Sequence, residues 1–313
     1  MKRAFTLLEL VVVIVVLGII AMMSFNAIMN IYSNYFQTRT VNELETQTEI
    51  ALEQISKRLE HRIKPSVIAR KTDGAFLALN DSGVTLAQDY EILEFIPYAY
   101  EIFNDVPSGN KAGRYSGYAD LAKSSPATGL ISPGSNFTTG VVETIKDLTC
   151  RDETRDATCV DFTKKDGGVV AIFSDVYYNV QDSFGYKDNL NLDIAKVGVK
   201  GGQSGLNGDT LEISGFDGKQ ISEQYHLAYT ANAIVPEQSA DPKDAANGVF
   251  DLNLYYDYRP WMGEKYKPNG EKATLAKNVT RFVFTEKNGV IVLKLCMRAK
   301  NSEITICKSK AVY

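Results

Sequence analysis

One carboxylate near the start of the chain lies where an acidic side chain is costly. Within residues 5–23, only Glu9 and Thr6 are polar. A carboxylate inside a membrane-spanning helix costs roughly 2–3 kcal/mol or more, so it needs a partner or a function. Glu9 could stay hydrated near the start of the helix, or it could pair with a positive charge held at the same depth.

The residues just before Glu9 offer a source for that positive charge. Cleavage between Ala4 and Phe5 would expose a new amino group four residues before Glu9. In an assembly of parallel, staggered helices, this amine on one subunit would meet Glu9 of a neighbour. The two groups would neutralise each other in a low-dielectric environment, which would select the register of the helices as well as their affinity.

The apolar run that contains Glu9 predicts a membrane anchor. About twenty apolar residues in a helix rise ~30 Å, which is enough to cross the hydrocarbon core of a bilayer. Lys2 and Arg3 precede the run and favour a cytoplasmic N-terminus. A cleaved secretory signal would need a shorter apolar core followed by a small-residue cleavage site, and residues 24–27 match that pattern poorly.

The start of the chain, residues 2–9, resembles the N-terminal signature of the type IV pilin superfamily, which includes pilins and the pseudopilins of type II secretion and DNA-uptake machines. The resemblance implies cleavage between Ala4 and Phe5 by a membrane prepilin peptidase and N-methylation of Phe5 by the same enzyme. Cleavage in this superfamily usually follows glycine, so Ala4 departs from the pattern. The implied partners are this peptidase, other pilin or pseudopilin subunits, and an inner-membrane assembly platform.

A long helix should connect this segment to the rest of the chain. Over residues 41–63, apolar side chains recur at spacings of three and four, which places them on one helix face. No proline interrupts residues 5–64, and Pro65 ends the pattern. We therefore predict one helix of about sixty residues, ~90 Å long. Two helices with a break within residues 24–35 are the alternative.

The sequence after Pro65 predicts a strand-rich head. Turn-forming residues cluster in residues 104–136, which we interpret as a long surface insertion. The expected fold class is α+β, with a long N-terminal helix packed on an antiparallel β-sheet head that carries long loop insertions. The β-rich stretches are residues 67–69, 76–79, 92–96, 169–173, 211–213, 225–235 and 249–256.

The C-terminal region gives the clearest strand pattern. Asn-Gly at 288–289, between two β-rich runs, predicts a hairpin because both central residues need positive φ. This turn places Phe284 opposite Leu293 on an apolar face. A further turn at residues 301–302 predicts a three-stranded meander that covers the long helix.

The four cysteines can form two local disulfides. The meander register places Cys296 opposite Cys307, with Cα atoms ~5 Å apart and therefore within disulfide reach. Cys150 and Cys159 bracket a short charged loop. We favour the pairs 150–159 and 296–307 among the three connectivities, because an exported head would meet oxidising conditions. A zinc site would instead prefer cysteines two to four residues apart.

Composition and motifs argue against several function classes. Lys plus Arg total 34 and Asp plus Glu total 38, and the resulting net charge of -4 disfavours nucleic-acid binding by the head. The two histidines, His61 and His226, leave little material for catalysis, and we find no catalytic, metal or cofactor motif. Acidic residues within 152–161 could bind Ca²⁺, but they lack the calcium-loop pattern, and a solvated loop is favoured.

These observations divide the chain into four expected parts. Residues 1–4 are a leader peptide, 5–29 a transmembrane and assembly helix, 30–64 an amphipathic helix that continues into the head, and 65–313 a periplasmic β-rich globular head. The expected location is the bacterial inner membrane, with a single pass and a cytoplasmic N-terminus. The head would lie in the periplasm or in an extracellular filament.

The resulting functional prediction is a structural subunit rather than an enzyme: a minor pilin or pseudopilin of a type II secretion, type IV pilus or DNA-uptake machine. Many major pilins have a proline near the position of Asn26, and its absence favours a minor subunit. One alternative is an adhesin that uses a pilin stem to display a ligand-binding head, with aromatic residues such as Trp261 at the binding patch. A membrane-anchored periplasmic enzyme is the less favoured alternative.

Overall fold

The N-terminal helix is continuous. In a computed structural model of the chain, α1 (Leu7–Glu60) is a single helix of 54 residues, without the alternative break within residues 24–35. It ends before Pro65, which lies in a short 3₁₀ turn, Lys64–Ser66. The structure describes residues 7–81, 84, 90–103, 115–125, 127–150, 159–187, 192–200, 208–214, 220–300 and 302–313.

The head contains thirteen described strands in two antiparallel sheets. The strands are β1 (Ile68–Arg70), β2 (Phe76–Ala78), β3 (Ile92–Phe95), β4 (Leu130–Ile131), β5 (Val170–Phe173), β6 (Ala195–Val199), β7 (Thr210–Ser214), β8 (Tyr225–Ala228), β9 (Ala231–Gln238), β10 (Phe250–Tyr258), β11 (Glu271–Lys287), β12 (Val290–Arg298) and β13 (Thr305–Val312). The shorter helical elements are α2 (Val142–Thr149), α3 (Pro242–Ala246), α4 (Tyr266–Asn269), the 3₁₀ turns Tyr100–Ile102 and Pro260–Met262, and a π-turn at Phe137–Val141.

The larger sheet has eight strands in the order β13-β12-β11-β10-β9-β3-β1-β2, and the smaller has five in the order β4-β7-β6-β5-β8. Strands β1, β3, β9 and β10 of the larger sheet contribute to a core on each face, whereas β11, β12 and β13 contribute only to the core on the α1 side. Because side chains alternate along a strand, Ala69 joins the core that α1 covers, whereas its neighbour Ile68 joins the core on the opposite face. The fold is therefore α+β, as predicted.

The C-terminal meander has the predicted register. Asn288 and Gly289 have φ values of 54° and 79°, as the Asn-Gly hairpin turn requires. Phe284 lies opposite Leu293 across β11 and β12, and Met297 lies opposite Ile306 across β12 and β13. The meander packs against α1, since side chains of all three strands share one core with the helix.

Two parts of the head differ from the sequence interpretation. The stretch 225–235 forms two strands, β8 and β9, which belong to different sheets, so the chain crosses between the sheets after Ala228. The described part of residues 104–136 is not a surface insertion. It supplies β4 and buries Tyr115 and Ala119 in the core of the smaller sheet, where apolar side chains offset the cost of ordering the turns.

Two disulfides join the cysteine pairs that the sequence favours. The Cα atoms of Cys150 and Cys159 are 4.4 Å apart, and those of Cys296 and Cys307 are 4.0 Å apart. The second link connects β12 to β13, which lies at the edge of the larger sheet.

Peptide mapping under non-reducing conditions should recover both links. We expect one cross-linked peptide pair containing Cys150 and Cys159 and a second containing Cys296 and Cys307, because the Cα atoms of each pair lie within disulfide reach. Reduction before digestion provides the control and should release all four peptides. Free thiols at all four positions, or a link between the two pairs, would contradict this connectivity.

Candidate functional site

The first half of α1 is a bare helix. Every residue from 7 to 39 is exposed, including large apolar side chains such as Leu17 and Ile20, with 58% and 54% of their surface accessible. Soluble proteins rarely leave a contiguous apolar surface of this size uncovered. The helix is long and apolar enough to cross a membrane. This half therefore needs a membrane or other helices to cover it.

Glu9 occupies the first turn of this exposed half. Its carboxylate is accessible, and its position near the positive end of the helix dipole is electrostatically favourable. The predicted cleavage residues Ala4 and Phe5 lie outside the described residues. The structure thus positions the acid on the helix surface, where it is available to a neighbouring chain.

Charged residues are absent from α1 between Glu9 and Arg39. At 1.5 Å per residue, the uncharged stretch, residues 10–38, rises ~43 Å, which is close to the full thickness of a bilayer with its headgroup regions. The end of this stretch, residues 24–38, has two unlike faces. At 100° per residue, one face carries Phe25, Ile28, Met29, Tyr32, Tyr35 and Phe36. The other face carries Asn26, Asn30, Ser33, Asn34 and Gln37.

The second half of α1 anchors the head. Its apolar stripe is buried against β11, β12 and β13, and Ile55 and Leu59 are fully inaccessible. Thr48 lies within the stripe. Its hydroxyl donates to the carbonyl of Leu44 over 2.7 Å, so this buried polar group has a hydrogen-bond partner inside the core. The buried residues of the helix are Leu44, Thr48, Ala51, Leu52, Ile55, Ser56 and Leu59.

Ion pairs fasten the edge strand β13 to the helix. The ammonium of Lys308 lies 2.6 Å from Glu49 and 3.3 Å from Glu45, and Lys310 pairs with Glu53. These hydrogen bonds lower the pKa of Glu49 and Glu53. Because a lowered carboxyl pKa means that folding favours the ionised form, these contacts are present at neutral pH and are lost as the pH falls through the lowered values. Their solvent exposure keeps each contribution small.

Arg62 joins three distant parts of the chain. Its guanidinium donates to the carbonyl of Leu59 over 2.8 Å, to that of Gly289 over 2.9 Å and to that of Tyr313 over 3.1 Å. The end of α1, the turn of the C-terminal hairpin and the last residue are therefore tied at one point. Sequence reasoning missed this residue because two of its partners, Gly289 and Tyr313, are backbone acceptors more than two hundred positions away.

Trp261, the aromatic residue named for an adhesin patch, is part of the core. Trp261 and Tyr258 are fully buried, and the indole Nε1 of Trp261 donates to the carbonyl of Gly168 over 3.0 Å. Trp261 therefore offers no surface for a ligand. Buried Tyr and Trp side chains commonly find a hydrogen-bond partner in this way.

Both histidines contact one tyrosine. The Nδ1 atom of His61 is 3.2 Å from the hydroxyl of Tyr98, and the ring centroid of His226 is 5.0 Å from that of Tyr98. Burial lowers the pKa of His226. Neither contact supplies the nucleophile or the orienting carboxylate of a catalytic arrangement.

Over the described part of the chain, no group of three or more His, Cys, Asp or Glu side chains could hold a metal ion. Of the acidic residues considered for Ca²⁺, only Asp161 is described, and it lies 2.7 Å from the ammonium of Lys164. The hydrogen bond from Lys164 lowers the pKa of Asp161.

A comparison with protein families supports the N-terminal signature. Residues 1–25 match the family model described as the prokaryotic N-terminal methylation motif. Comparisons with curated proteins and with solved structures gave no match. The chain therefore carries the type IV pilin-type signature, which ends inside the exposed half of α1.

Proposed function

We propose that this protein is a minor pilin or pseudopilin, a structural subunit of a type II secretion, type IV pilus or DNA-uptake machine that assembles through α1. The observation that supports this role is the continuity of the methylation motif, residues 1–25, with a helix that is exposed over residues 7–39. A pilin-type motif favours a structural role over an enzymatic one. The size of the head and the absence of proline at Asn26 support a minor subunit.

The assembly chemistry begins with processing. Prepilin peptidase would cut between Ala4 and Phe5 and methylate the freed amine, which keeps its positive charge. In a staggered bundle this amine meets Glu9 of a neighbouring subunit. When the two groups pair, each offsets the free-energy cost of burying the other's charge. A bundle with the wrong register leaves a buried charge unpaired and is therefore less stable.

Residues 24–38, the two-faced end of the uncharged stretch, would form further contacts between neighbouring helices in the bundle. Its aromatic and aliphatic face offers packing surface to adjacent helices. Its amide face offers side chains such as Asn30 and Asn34, which can hydrogen-bond between helices. Apolar packing gives affinity, whereas paired amides add preference for one alignment.

Before assembly, we propose that residues 5–29 span the inner membrane and that residues 30–64 lead into a periplasmic head, residues 65–313. Lys2 and Arg3 in the leader, residues 1–4, favour a cytoplasmic N-terminus. Directly after this span, the side chains of Tyr32, Tyr35 and Phe36 are exposed, and aromatic rings at this position would lie at the bilayer interface, which they favour. The two disulfides agree with an oxidising location for the head.

Mass spectrometry of the protein purified from its native membranes should show a mature chain that begins at Phe5 and carries one added methyl group. The shift has a direct chemical cause, since removal of four residues and transfer of one methyl change the mass by fixed amounts. A strain without prepilin peptidase provides the control and should retain residues 1–4. An intact, unmethylated chain in cells with active peptidase would contradict the proposed processing.

A further inference from the structure

A pocket of about 210 Å³ opens beside the C-terminal end of α1, and we call it the Asn232 pocket. Its walls come from the end of α1, the 3₁₀ turn at Tyr100–Ile102, the end of α2 and the strands β9 and β10. The volume is below that of a drug-sized site, so the pocket suits one small ring. The side chains that give it its chemistry are Arg58, Tyr100, Glu101, Asn232, Tyr256 and Asp257.

A buried amide without a partner lines this pocket. Only 4% of the surface of Asn232 is accessible. Within the part of the chain that the structure describes, its side-chain amide makes no hydrogen bond, yet neither of its polar atoms is sealed from the pocket. An amide carries two donors and one acceptor, and buried groups of this kind are rarely left unpaired. Asn232 is therefore free to bond to a ligand.

Glu101 adds an acceptor to the same lining. Its Oε2 atom is buried and has no hydrogen-bond partner among the described residues. Burial and this neighbouring carboxylate raise the pKa of Tyr100 and Tyr229, so both hydroxyls stay protonated at neutral pH. An unmet carboxylate acceptor favours a ligand that can donate a hydrogen bond.

The charges around the pocket do not favour a charged ligand of either sign. Asp257 is ion-paired with Arg259 over 3.1 Å, and both residues are buried. The lining then holds one remaining charge of each sign, since Arg58 is exposed at the mouth and Glu101 lies inside. An anion would meet Glu101 and a cation would meet Arg58, and like charges in contact oppose binding.

Two tyrosine rings give the pocket an aromatic surface. Tyr100 and Tyr256 have 46% and 38% of their surface accessible, although both line the pocket. Tyr100 is stacked on His61, with ring centroids 4.0 Å apart, so its ring is held in place. An aromatic ring offers a broad apolar surface with little loss of conformational freedom on binding.

We propose that the Asn232 pocket binds a neutral saccharide, with one sugar ring bonded to Asn232 and Glu101 and packed on Tyr256. Each sugar hydroxyl both donates and accepts, as a hydroxyl side chain does, and so can serve the amide and the carboxylate together. The C–H groups of the ring supply the apolar surface that a tyrosine face can cover.

This inference goes beyond the proposed structural role. From Arg39, the end of the bare half of α1, to Arg58 at the pocket, the helix rises ~29 Å. A sugar in the pocket therefore leaves residues 7–39 uncovered, and binding and assembly can fail independently. Asn232→Ala should enter filaments normally, whereas a substitution of Glu9 should keep the ligand.

The test uses isothermal titration calorimetry on the full chain in a polyoxyethylene detergent, which carries no sugar head group. The probes are the methyl glycosides of glucose, galactose, mannose and N-acetylglucosamine, and we expect saturable binding of at least one of them. Asn232→Ala should weaken that affinity at least about tenfold through lost hydrogen bonds. Its amide has no partner in the described chain, so the substitution leaves no protein group unpaired.

Tyr256→Ala is a second variant, at an exposed position, and should also weaken binding. Its matched control is Tyr177→Ala, which removes a tyrosine that is 88% exposed and lies outside the pocket, and which should leave the affinity unchanged. Wild-type affinity of both Asn232→Ala and Tyr256→Ala, or equal weakening by Tyr177→Ala, would overturn the site. Absence of binding by all four glycosides, or tighter binding of glucuronate or glucosamine than of methyl glucoside, would overturn the neutral-saccharide assignment.

Discussion

Replacement of Glu9 by alanine or valine should leave the protein in the membrane and abolish its incorporation into filaments. The apolar run that drives insertion is unchanged, and removal of a carboxylate makes insertion easier. The neighbouring subunit's amine would lose its counter-charge in a low-dielectric bundle, where an unpaired charge costs several kcal/mol. Membrane fractionation measures the first outcome, and immunoblotting of sheared, purified filaments measures the second.

Glu43→Ala is the matched control for this experiment. Glu43 is an exposed glutamate on the same helix, and its side chain accepts a local hydrogen bond from Gln47 over 3.2 Å. This variant should assemble as the wild type does. Wild-type incorporation of Glu9→Ala or Glu9→Val would remove the charge-pairing argument.

Ile55→Ala should destabilise the head by about 2–5 kcal/mol. Ile55 is fully buried where α1 meets the C-terminal meander, so truncation removes apolar burial and leaves a cavity. Urea unfolding of the detergent-solubilised protein, followed by tryptophan fluorescence, measures the change because Trp261 is in the head core. The transition midpoint should fall without a change in slope.

Ile50→Ala provides the control for that measurement. Ile50 has the same side chain on the same helix, but 52% of its surface is accessible. Its truncation should change the free energy of unfolding by no more than about 0.5 kcal/mol. Equal effects of the two substitutions would mean that α1 docks with a different face from the one described here.

The sequence predicted those elements whose pattern is local. The stripe of α1 repeats every three to four residues. The Asn288-Gly289 turn fixes the register of β11 with β12, and the second short connection of the meander places Cys296 opposite Cys307. In each case the interaction that determines the structure lies within a few residues or one hairpin. The helix, the hairpin and the favoured cysteine pairs could therefore be predicted.

The arrangement of the head could not be predicted in the same way. The stretch 225–235 is mostly buried in both β8 and β9, so its apolar pattern does not reveal that the chain changes sheets after Ala228. β4 has only two residues, too few for a periodic signal. Strand order depends on contacts between distant segments, which no local pattern records.

The same distinction between local and long-range patterns applies to the candidate sites. Glu9 is recognisable from its surroundings, because a single acid in an apolar run is unusual. By contrast, the hydrogen-bonded network of Arg70, Glu94 and Tyr258 joins residues that are far apart in the chain and match no motif. Only the folded head shows that they meet.

The edge strand β13 has a mechanical consequence. Lys308 and Lys310 of this strand are ion-paired to α1, and the strand packs along the helix, so part of any load carried along the helix would enter the larger sheet at its last strand. Hydrogen bonds alone would let such a strand peel away one pair at a time. The covalent bridge between Cys296 and Cys307 lies near the start of β13 and closes that route. In a subunit that assembles through α1, as we propose, tension on the helix would thereby be shared with β12 and the strands behind it.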